Sequence, residues 1–197
     1  MPPAKKQETL IIGFGYKKGS GKTRAADRLV SEHGFVRRSF ADPVRQLALA
    51  INPIIVPGMS LANILSRNRL VDVVDSYGWD GAKNTYPEVR RTLQNLGAGV
   101  RKISPDLWVD LAMSNAMSAP AVVFDDVRYP NEAAAIKKAG GIVVLVNRPG
   151  VENTDKHESE LALDGYEDWD LTIDNNGTVE ALLAEVDAVA HHLSSAQ

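Results

Sequence analysis

The segment from Gly15 to Thr23 contains the residue types of a phosphate-binding loop. It reads Gly-Tyr-Lys-Lys-Gly-Ser-Gly-Lys-Thr and lies between an apolar run and a helical pattern. Backbone N–H groups in such a loop surround an anion, and the next helix adds its positive N-terminus. Lys22 would reach the β- and γ-phosphates of ATP, and the Thr23 hydroxyl would bind Mg²⁺. The predicted ATP-binding residues are Tyr16, Lys17, Lys18, Gly19, Ser20, Gly21, Lys22, Thr23 and Arg24.

Tyr16 departs from the usual form of this loop, which has a glycine five positions before Gly21. The glycine lies one residue earlier, at Gly15. Either Tyr16 adopts an unusual backbone conformation or the chain begins the loop differently. The alternative without a binding function is a glycine-rich turn beside an incidental lysine. The strand before the segment and the helix after it disfavour this alternative.

Acidic residues follow two predicted strands and could orient phosphate or Mg²⁺. Asp42 follows one strand, and Asp125 and Asp126 close a continuous apolar strand. Parallel strands bring these ends to the edge of the sheet where ligands bind. Adjacent buried carboxylates are costly unless a cation compensates, and Arg128 is a natural partner. The alternatives are that Asp42 caps a helix that has Pro43 just inside it, and that Asp126 belongs to a salt-bridged turn before a capped helix.

Arginine and amide side chains on one predicted helix could bind a nucleotide. Arg90 and Gln94 are four residues apart and share a helix face. Arginine matches phosphate with a planar fork, and an amide can pair with the edge of a base. Arg45, shortly after Asp42, could also bind an anion. The alternative for each of these arginines is a solvated helix face.

Residues 147–165 form a long polar segment at the same edge of the predicted sheet. It contains Arg148 directly after an apolar strand, and His157 further on. Loops of this length in compact domains are often functional, so we predict a lid. His157 has no second histidine at ligand spacing and does not indicate a metal site.

Short apolar runs alternate with helical patterns, and these elements must position the polar residues. The predicted strands cover residues 9–14, 35–40, 121–124, 142–146 and 171–174. The predicted helices cover residues 23–33, 43–51, 87–102, 106–117, 131–139 and 178–193. The alternation predicts an α/β fold with a parallel sheet covered on both faces. Residues 52–87, interrupted by prolines and glycines, are predicted to be an insertion of short helices and loops, and residues 1–8 a flexible tail.

The composition of the 197-residue chain excludes several classes of protein. Its net charge of −3 disfavours binding to a nucleic-acid polymer, and the lack of cysteine excludes disulfides and thiol catalysis. No apolar run approaches the roughly 20 residues of a membrane span, and the N-terminus lacks the apolar stretch of a signal peptide. We therefore expect no membrane association and a cytoplasmic location. The oligomeric state is left open, with a homodimer as one option.

Taken together, the motifs resemble the bacteriophage deoxynucleoside monophosphate kinases. The most specific of them is Asp126-Val127-Arg128-Tyr129-Pro130-Asn131-Glu132. The others are the glycine loop, Phe40-Ala41-Asp42-Pro43, Arg91-Thr92-Leu93-Gln94, Arg148-Pro149-Gly150 and His157-Glu158-Ser159-Glu160. The resemblance implies a P-loop three-layer sandwich with a mostly parallel five-stranded sheet. It also implies a single domain over residues 9–197, with a helical nucleotide-binding insertion at 52–103 and a lid at 147–165.

The implied reaction transfers the γ-phosphoryl group of ATP to a deoxynucleoside 5′-monophosphate with the help of Mg²⁺. The implied catalytic residues are Lys22, Asp42, Asp126, Arg128 and Arg148. The implied acceptor-binding residues are Asp42, Arg45, Arg91, Gln94 and Arg128, and the implied magnesium ligands are Thr23 and Asp126. One rival is another small-molecule kinase of this fold, such as a dephospho-coenzyme A or shikimate kinase. The other is a binding switch driven by ATP hydrolysis.

Overall fold

The computed structural model describes residues 9–55, 68–151 and 158–195. The predicted tail at residues 1–8 and His157 of the predicted lid lie outside the described residues. The chain divides into two compact units. We call Met1–Phe40 together with Val109–Gln197 the sheet unit, and Ala41–Trp108 the helical unit.

The described elements alternate between strands and helices along most of the chain. In chain order they are β1 (Leu10–Gly15), α1 (Lys22–His33), β2 (Val36–Arg38), α2 (Asp42–Ile51), β3 (Ile54–Ile55), β4 (Asn68–Arg69), α3 (Leu70–Thr85), α4 (Pro87–Ile103), α5 (Leu107–Ala116), β5 (Ala121–Val127), α6 (Pro130–Lys138), β6 (Ile142–Asn147), α7 (Glu158–Leu161), β7 (Leu171–Asp174) and α8 (Val179–Ser195).

The sheet unit is built on five strands in the order β2-β5-β1-β6-β7, and every neighbouring pair is parallel. The prediction of a mostly parallel five-stranded sheet is therefore confirmed. β1 lies at the centre, where it pairs with β5 on one side and β6 on the other. Its register with β5 shifts between Gly13 and Gly15, so that Gly15 pairs with Val127.

Apolar side chains fill both faces of this sheet and make three layers. On one face Ile12 and Phe14 pack with residues of α1 and α8. On the other face Ile11 packs with residues of α5 and α6, and the rings of Phe40 and Phe124 stack at 4.4 Å. Because neighbouring strand residues point to opposite faces, a continuous apolar strand indicates a sheet covered on both sides.

Helices α1 and α8 are joined by an ion-pair cluster around Asp187. Arg28 donates from Nε and Nη2 to its two carboxylate oxygens, at 2.9 Å each. His33 Nε2 lies 2.7 Å from Asp187 Oδ1. Hydrogen bonds from Arg28 and His33 hold the pKa of Asp187 well below its ordinary value. The cluster thus fastens the C-terminal helix to the helix that begins at the phosphate loop.

The helical unit packs α2, α3 and α4 around a separate apolar cluster. Its buried members are Ala48, Ile55, Leu70, Val73, Ala82 and Val89. The prediction of short helices over residues 52–87 agrees with Leu70–Thr85, which consists of two short helical segments. Gly78, with φ +63° and ψ 172°, has a non-helical backbone and separates the two segments. The remaining residues include the antiparallel pair β3–β4, and residues 56–67 lie outside the described part of the chain.

Two local predictions about acidic residues are wrong. Ala41 is the N-cap residue of α2, and Asp42 lies in the first turn. The Asp42 carboxylate accepts a hydrogen bond from Arg45 Nη1 at 2.9 Å. Asp125 and Asp126 do not close β5 but lie within it, because pairing with Gly15 extends the strand to Val127.

None of the described helices combines the length and apolar character needed to cross a membrane.

Candidate active site

The phosphate loop connects β1 to α1 at the centre of the sheet. Gly19 and Gly21 have φ values of +83° and +110°, which glycine adopts without steric cost. Gly21 is the N-cap residue of α1, so the free N–H groups of the first helical turn face the loop. Ser20 is buried, and its carbonyl accepts a hydrogen bond from Asn175 Nδ2 at 2.8 Å. This geometry presents backbone donors and a helix N-terminus to a single anion.

Tyr16 has a φ of +87°, which is uncommon for a residue with a side chain. Of the two ways in which this loop could accommodate Tyr16, the unusual backbone conformation is the one observed. Its ring meets the ring of Trp169 edge-on, with 6.5 Å between the centroids. Lys17 Nζ lies 5.0 Å from the centroid of the Tyr16 ring.

Lys22 turns back onto the loop that it follows. Its Nζ donates to the carbonyl of Tyr16 at 2.9 Å and to that of Lys17 at 2.5 Å. The pKa of Lys22 falls from its ordinary 10.5 to about 8, first because of burial and then because of the charge of Arg128. Asp125 and Asp126 act in the opposite direction. These four side chains therefore form one cluster of interacting charges.

Asp125 is the carboxylate that contacts the start of α1. The Thr23 side chain is close enough to lower the pKa of Asp125, and Arg37 Nε lies 3.9 Å from the Asp125 Oδ2. Burial and the charge of Asp126 raise the pKa of Asp125, while Arg37 and Thr23 oppose that rise. A bound cation would stabilise the ionised form of this carboxylate in the same way as Arg37 does.

Asp126 has hydrogen bonds to the segment after β2. It accepts from the Ser39 hydroxyl at 2.5 Å and from the backbone N–H of Phe40 at 3.0 Å. The sequence predicts Asp126 as the magnesium ligand, and Asp125 is the carboxylate whose pKa the Thr23 side chain lowers.

The chain after β5 is held by a buried carboxylate. Glu132 is 2% exposed and accepts hydrogen bonds from the N–H groups of Arg128 at 2.7 Å and Tyr129 at 3.1 Å. The capped helix of the alternative interpretation is therefore present, at the start of α6. The Arg128 side chain forms an ion pair with Glu160 of α7. Arg128 is thus fixed at its backbone by one acid and at its guanidinium by another.

A cleft of about 190 Å³ lies beside the phosphate loop. Tyr16, Lys17 and Ser20 line one side of it, and residues 147–151 line the other. Arg148 Nη1 donates to the carbonyl of Gly19 at 3.4 Å. The structure therefore brings Arg148 to the loop, together with Lys22, Thr23, Asp126 and Arg128 of the predicted site.

Sequence reasoning missed three residues of this site. Asn175 bonds to Ser20 with its side chain, and its backbone N–H donates to the Asn147 carbonyl at 2.7 Å. Asn147 also donates from Nδ2 to Asp174 Oδ1 at 2.8 Å. Both asparagines follow or end apolar strands, a signal that could have identified them. Trp169 has no comparable signal, since nothing in its local pattern points to the loop.

The predicted acceptor-binding residues lie in the helical unit. Arg45 pairs with Asp42, and its guanidinium lies 5.8 Å from the centroid of the Trp79 ring. Arg91 lies on α4, has a side chain that is 65% exposed, and pairs with Glu88 at 2.8 Å. Gln94 is half-buried on the same helix.

Two side chains at the start of α1 and in β5 could hold a magnesium ion. Within the described ranges, no group of three or more histidine, cysteine, aspartate or glutamate residues could hold a metal ion. Mg²⁺ in kinase sites uses only one or two protein ligands and completes its shell with water and substrate phosphates. The Thr23 hydroxyl and the Asp125 carboxylate, which interact with each other, could be such a pair.

One family model and three relatives that are similar to this chain share one description. The family model described as deoxynucleotide monophosphate kinase matches residues 67–186. A candidate deoxynucleotide monophosphate kinase of Acanthamoeba polyphaga mimivirus is 31% identical over 200 residues, covering 90% of this chain and 94% of the relative. The deoxynucleotide monophosphate kinase of Escherichia phage RB69 is 33% identical over 51% of this chain and 44% of its own length. That of Enterobacteria phage T4 is 28% identical over 66% of this chain and 54% of its own length.

Proposed function

The chain belongs to the deoxynucleotide monophosphate kinase family, and we propose that it transfers the γ-phosphoryl group of ATP to a deoxynucleoside 5′-monophosphate. The product would be the corresponding diphosphate. The observation that carries the proposal is the charged cluster at the phosphate loop, where Lys22 interacts with Asp125, Asp126 and Arg128. Phosphoryl transfer depends on the alignment of the two phosphates and on neutralisation of their charge. This cluster supplies cations that can neutralise phosphate and carboxylates that can orient the reacting groups.

The donor site is the phosphate loop with its cleft. The β- and γ-phosphates of ATP would accept hydrogen bonds from the backbone of residues 19–23 and from Lys22. Lys22 Nζ would exchange two neutral carbonyl partners for charged phosphate oxygens, which make stronger hydrogen bonds. Arg148 beside Gly19 and Arg128 beside Lys22 would neutralise charge on the transferred group.

Thr23 and Asp125 would hold Mg²⁺. The bound ion would neutralise charge on the phosphate oxygens of ATP. We assign the carboxylate role to Asp125 instead of Asp126, because Asp125 interacts with Thr23 whereas Asp126 is bonded to Ser39 and Phe40. Asp126 would fix the segment of Ser39 and Phe40, which leads directly to Asp42.

The acceptor site would lie in the helical unit. Arg45 and Arg91 would bind the phosphate of the monophosphate, and Gln94 would contact its base. Asp42 would orient Arg45, with which it is paired at 2.9 Å. An ionised phosphate is already a nucleophile, so this reaction needs no strong general base.

Residues 147–165 would act as a lid, of which residues 147–151 and 158–165 are described. The first part lines the cleft, and Glu160 in the second part pairs with Arg128. Closing this segment would exclude water from the transferred phosphoryl group.

A coupled assay of ATP against a panel of deoxy- and ribonucleoside monophosphates tests the proposal. A deoxynucleotide monophosphate kinase transfers phosphate to at least one deoxynucleotide in the panel. A binding switch instead hydrolyses ATP slowly and transfers phosphate to none of the acceptors. Dephospho-coenzyme A and shikimate belong in the panel as rival acceptors. Phosphorylation of either of these without any deoxynucleotide activity would refute the proposal.

Lys22→Ala serves as the active-site variant in the same assay. Removing a preorganised charge should reduce turnover by about two orders of magnitude or more. Lys138→Ala is the matched control, because Lys138 is an exposed lysine on α6. Equal activity of the two variants would contradict the assignment of the phosphate loop.

A further inference from the structure

Trp169 lies across the first two residues of the phosphate loop. A Cβ atom built on Gly15 would lie 2.6 Å from Cη2 and 2.7 Å from Cζ3 of the Trp169 ring. The ring therefore occupies the space that a side chain at Gly15 would need. The same ring meets the Tyr16 ring edge-on, at an interplanar angle of 75°.

The backbone of Tyr16 needs such support. Its φ of +87° lies in the region that residues with a side chain rarely adopt. A strained conformation of this kind persists only where the surrounding structure determines it. The gain from an edge-on aromatic contact is of the same order as the cost of a left-handed residue. The contact with Trp169 is therefore large enough to hold Tyr16 in place.

Trp169 itself is fixed by a segment that is anchored on β6. Its Nε1 donates to the carbonyl of Tyr166 at 2.8 Å, and the two rings meet edge-on at 4.9 Å. The next residue, Asp170, donates its N–H to the Val143 carbonyl at 3.0 Å and accepts from the Val143 N–H at 2.8 Å. Lys137 Nζ pairs with Asp170 at 3.2 Å. The position of the Trp169 indole is thus fixed by contacts with residues outside the phosphate loop.

Tyr16 connects this contact to the reaction through its carbonyl. That oxygen accepts a hydrogen bond from Lys22 Nζ at 2.9 Å, and its direction follows from the backbone conformation of Tyr16. We propose that Trp169 is a positioning residue, which keeps Tyr16 in its left-handed conformation and so keeps Lys22 and the loop ready for the triphosphate of ATP. This inference rests on the proposed use of ATP.

A double-mutant cycle between Trp169 and Tyr16 tests the proposal. Trp169→Ala should raise the Kd of ATP by about tenfold, because the free loop must be reordered before binding. In the Tyr16→Gly background the same substitution should change the Kd by less than about twofold, because glycine adopts a positive φ unaided. Titration calorimetry with ATP and Mg²⁺ in the absence of an acceptor measures both values.

Steady-state kinetics and the conservative variant separate positioning from stability. With ATP varied at a saturating concentration of the acceptor, Trp169→Ala should raise the KM for ATP while kcat changes by less than about threefold. Trp169→Phe keeps an aromatic ring against Tyr16 and should recover most of the affinity. If Trp169→Ala does not fold, Trp169→Leu replaces it in both backgrounds.

The outcomes distinguish this proposal from the proposed function. Equal losses of ATP affinity in the Tyr16 and Tyr16→Gly backgrounds would overturn the positioning role, and so would wild-type affinity of Trp169→Ala. A wild-type protein that does not bind ATP would overturn both proposals. If Trp169 and Tyr16 are coupled but the protein phosphorylates no deoxynucleotide, the positioning role is supported. That result would refute only the proposal that the acceptor is a deoxynucleotide.

Discussion

ATP binding at alkaline pH should be accompanied by the uptake of nearly one proton at Lys22. In the free protein the pKa of Lys22 is lowered to about 8. The side chain is then about half protonated near pH 8 and about one-tenth protonated near pH 9. The negative charges of the triphosphate favour the charged ammonium and raise its pKa again on binding. ATP should therefore bring in about 0.1 proton near pH 7, about 0.5 near pH 8 and about 0.9 near pH 9.

The same linkage makes the affinity for ATP depend on pH. Since only the protonated form of Lys22 supplies its charge, the Kd should rise about fivefold between pH 8 and pH 9. Calorimetric titrations in buffers of different ionisation enthalpy give the proton number and the Kd together. Lys22→Arg is the matched control, because a guanidinium remains charged throughout this range.

The reasoning fails if the wild-type protein takes up no more protons near pH 9 than Lys22→Arg does. It also fails if the wild-type Kd does not rise between pH 8 and pH 9. Either result would mean that Lys22 stays charged in the free protein despite its burial and the proximity of Arg128.

Three further predictions concern other parts of the molecule. Asp125→Asn should raise the Mg²⁺ concentration needed for half-maximal activity by at least about tenfold, whereas Asp126→Asn should change it by less than about threefold. A titration of activity with Mg²⁺ measures both values, and a larger effect of Asp126→Asn would identify Asp126 as the magnesium ligand. Arg91→Ala should raise the KM of the deoxynucleotide much more than that of ATP, and equal effects would mean that the acceptor pocket is misplaced. Asp187→Asn should lower the free energy of unfolding by about 1 kcal/mol at neutral pH, as urea unfolding measures. Because the pKa of Asp187 is depressed in the folded state, this loss should fade below about pH 4, and the exposed control Glu185→Gln should show no such loss.

The central part of the fold could be predicted because its signals are local. Continuous apolar runs mark the strands that are buried on both faces, and the phosphate loop has a fixed residue pattern between a strand and a helix. The glycines within residues 70–85 predict a break, and the non-helical backbone of Gly78 is that break. The local pattern does not show that Leu70 and Val73 before the break and Ala82 after it are buried in one cluster.

Asp125 and Asp126 show what a sequence pattern cannot decide about this site. Residue type and position mark both carboxylates equally. The contacts of the folded chain distinguish them. Asp125 interacts with Thr23 and lies 3.9 Å from Arg37, whereas Asp126 accepts a hydrogen bond from the backbone N–H of Phe40.

Contacts between residues that are far apart in the sequence could not be predicted from the local motifs that contain them. Arg128 pairs with Glu160, and Asn175 reaches Ser20 from the other end of the sequence. These partners become visible only once the strand order is known, because the sheet brings the ends of β1, β5, β6 and β7 to one edge.

The central position of β1 has a consequence for how the protein opens. A strand paired on both sides is released last in native-state hydrogen exchange, at a free energy close to that of global unfolding. The start of the phosphate loop is covalently joined to that strand at Gly15. Fraying of the edge strands β2 and β7 therefore leaves the loop attached to the slowest-exchanging part of the sheet. The amides of residues 11–14 should exchange as one group, and ATP should slow them only as much as it raises the global free energy of unfolding.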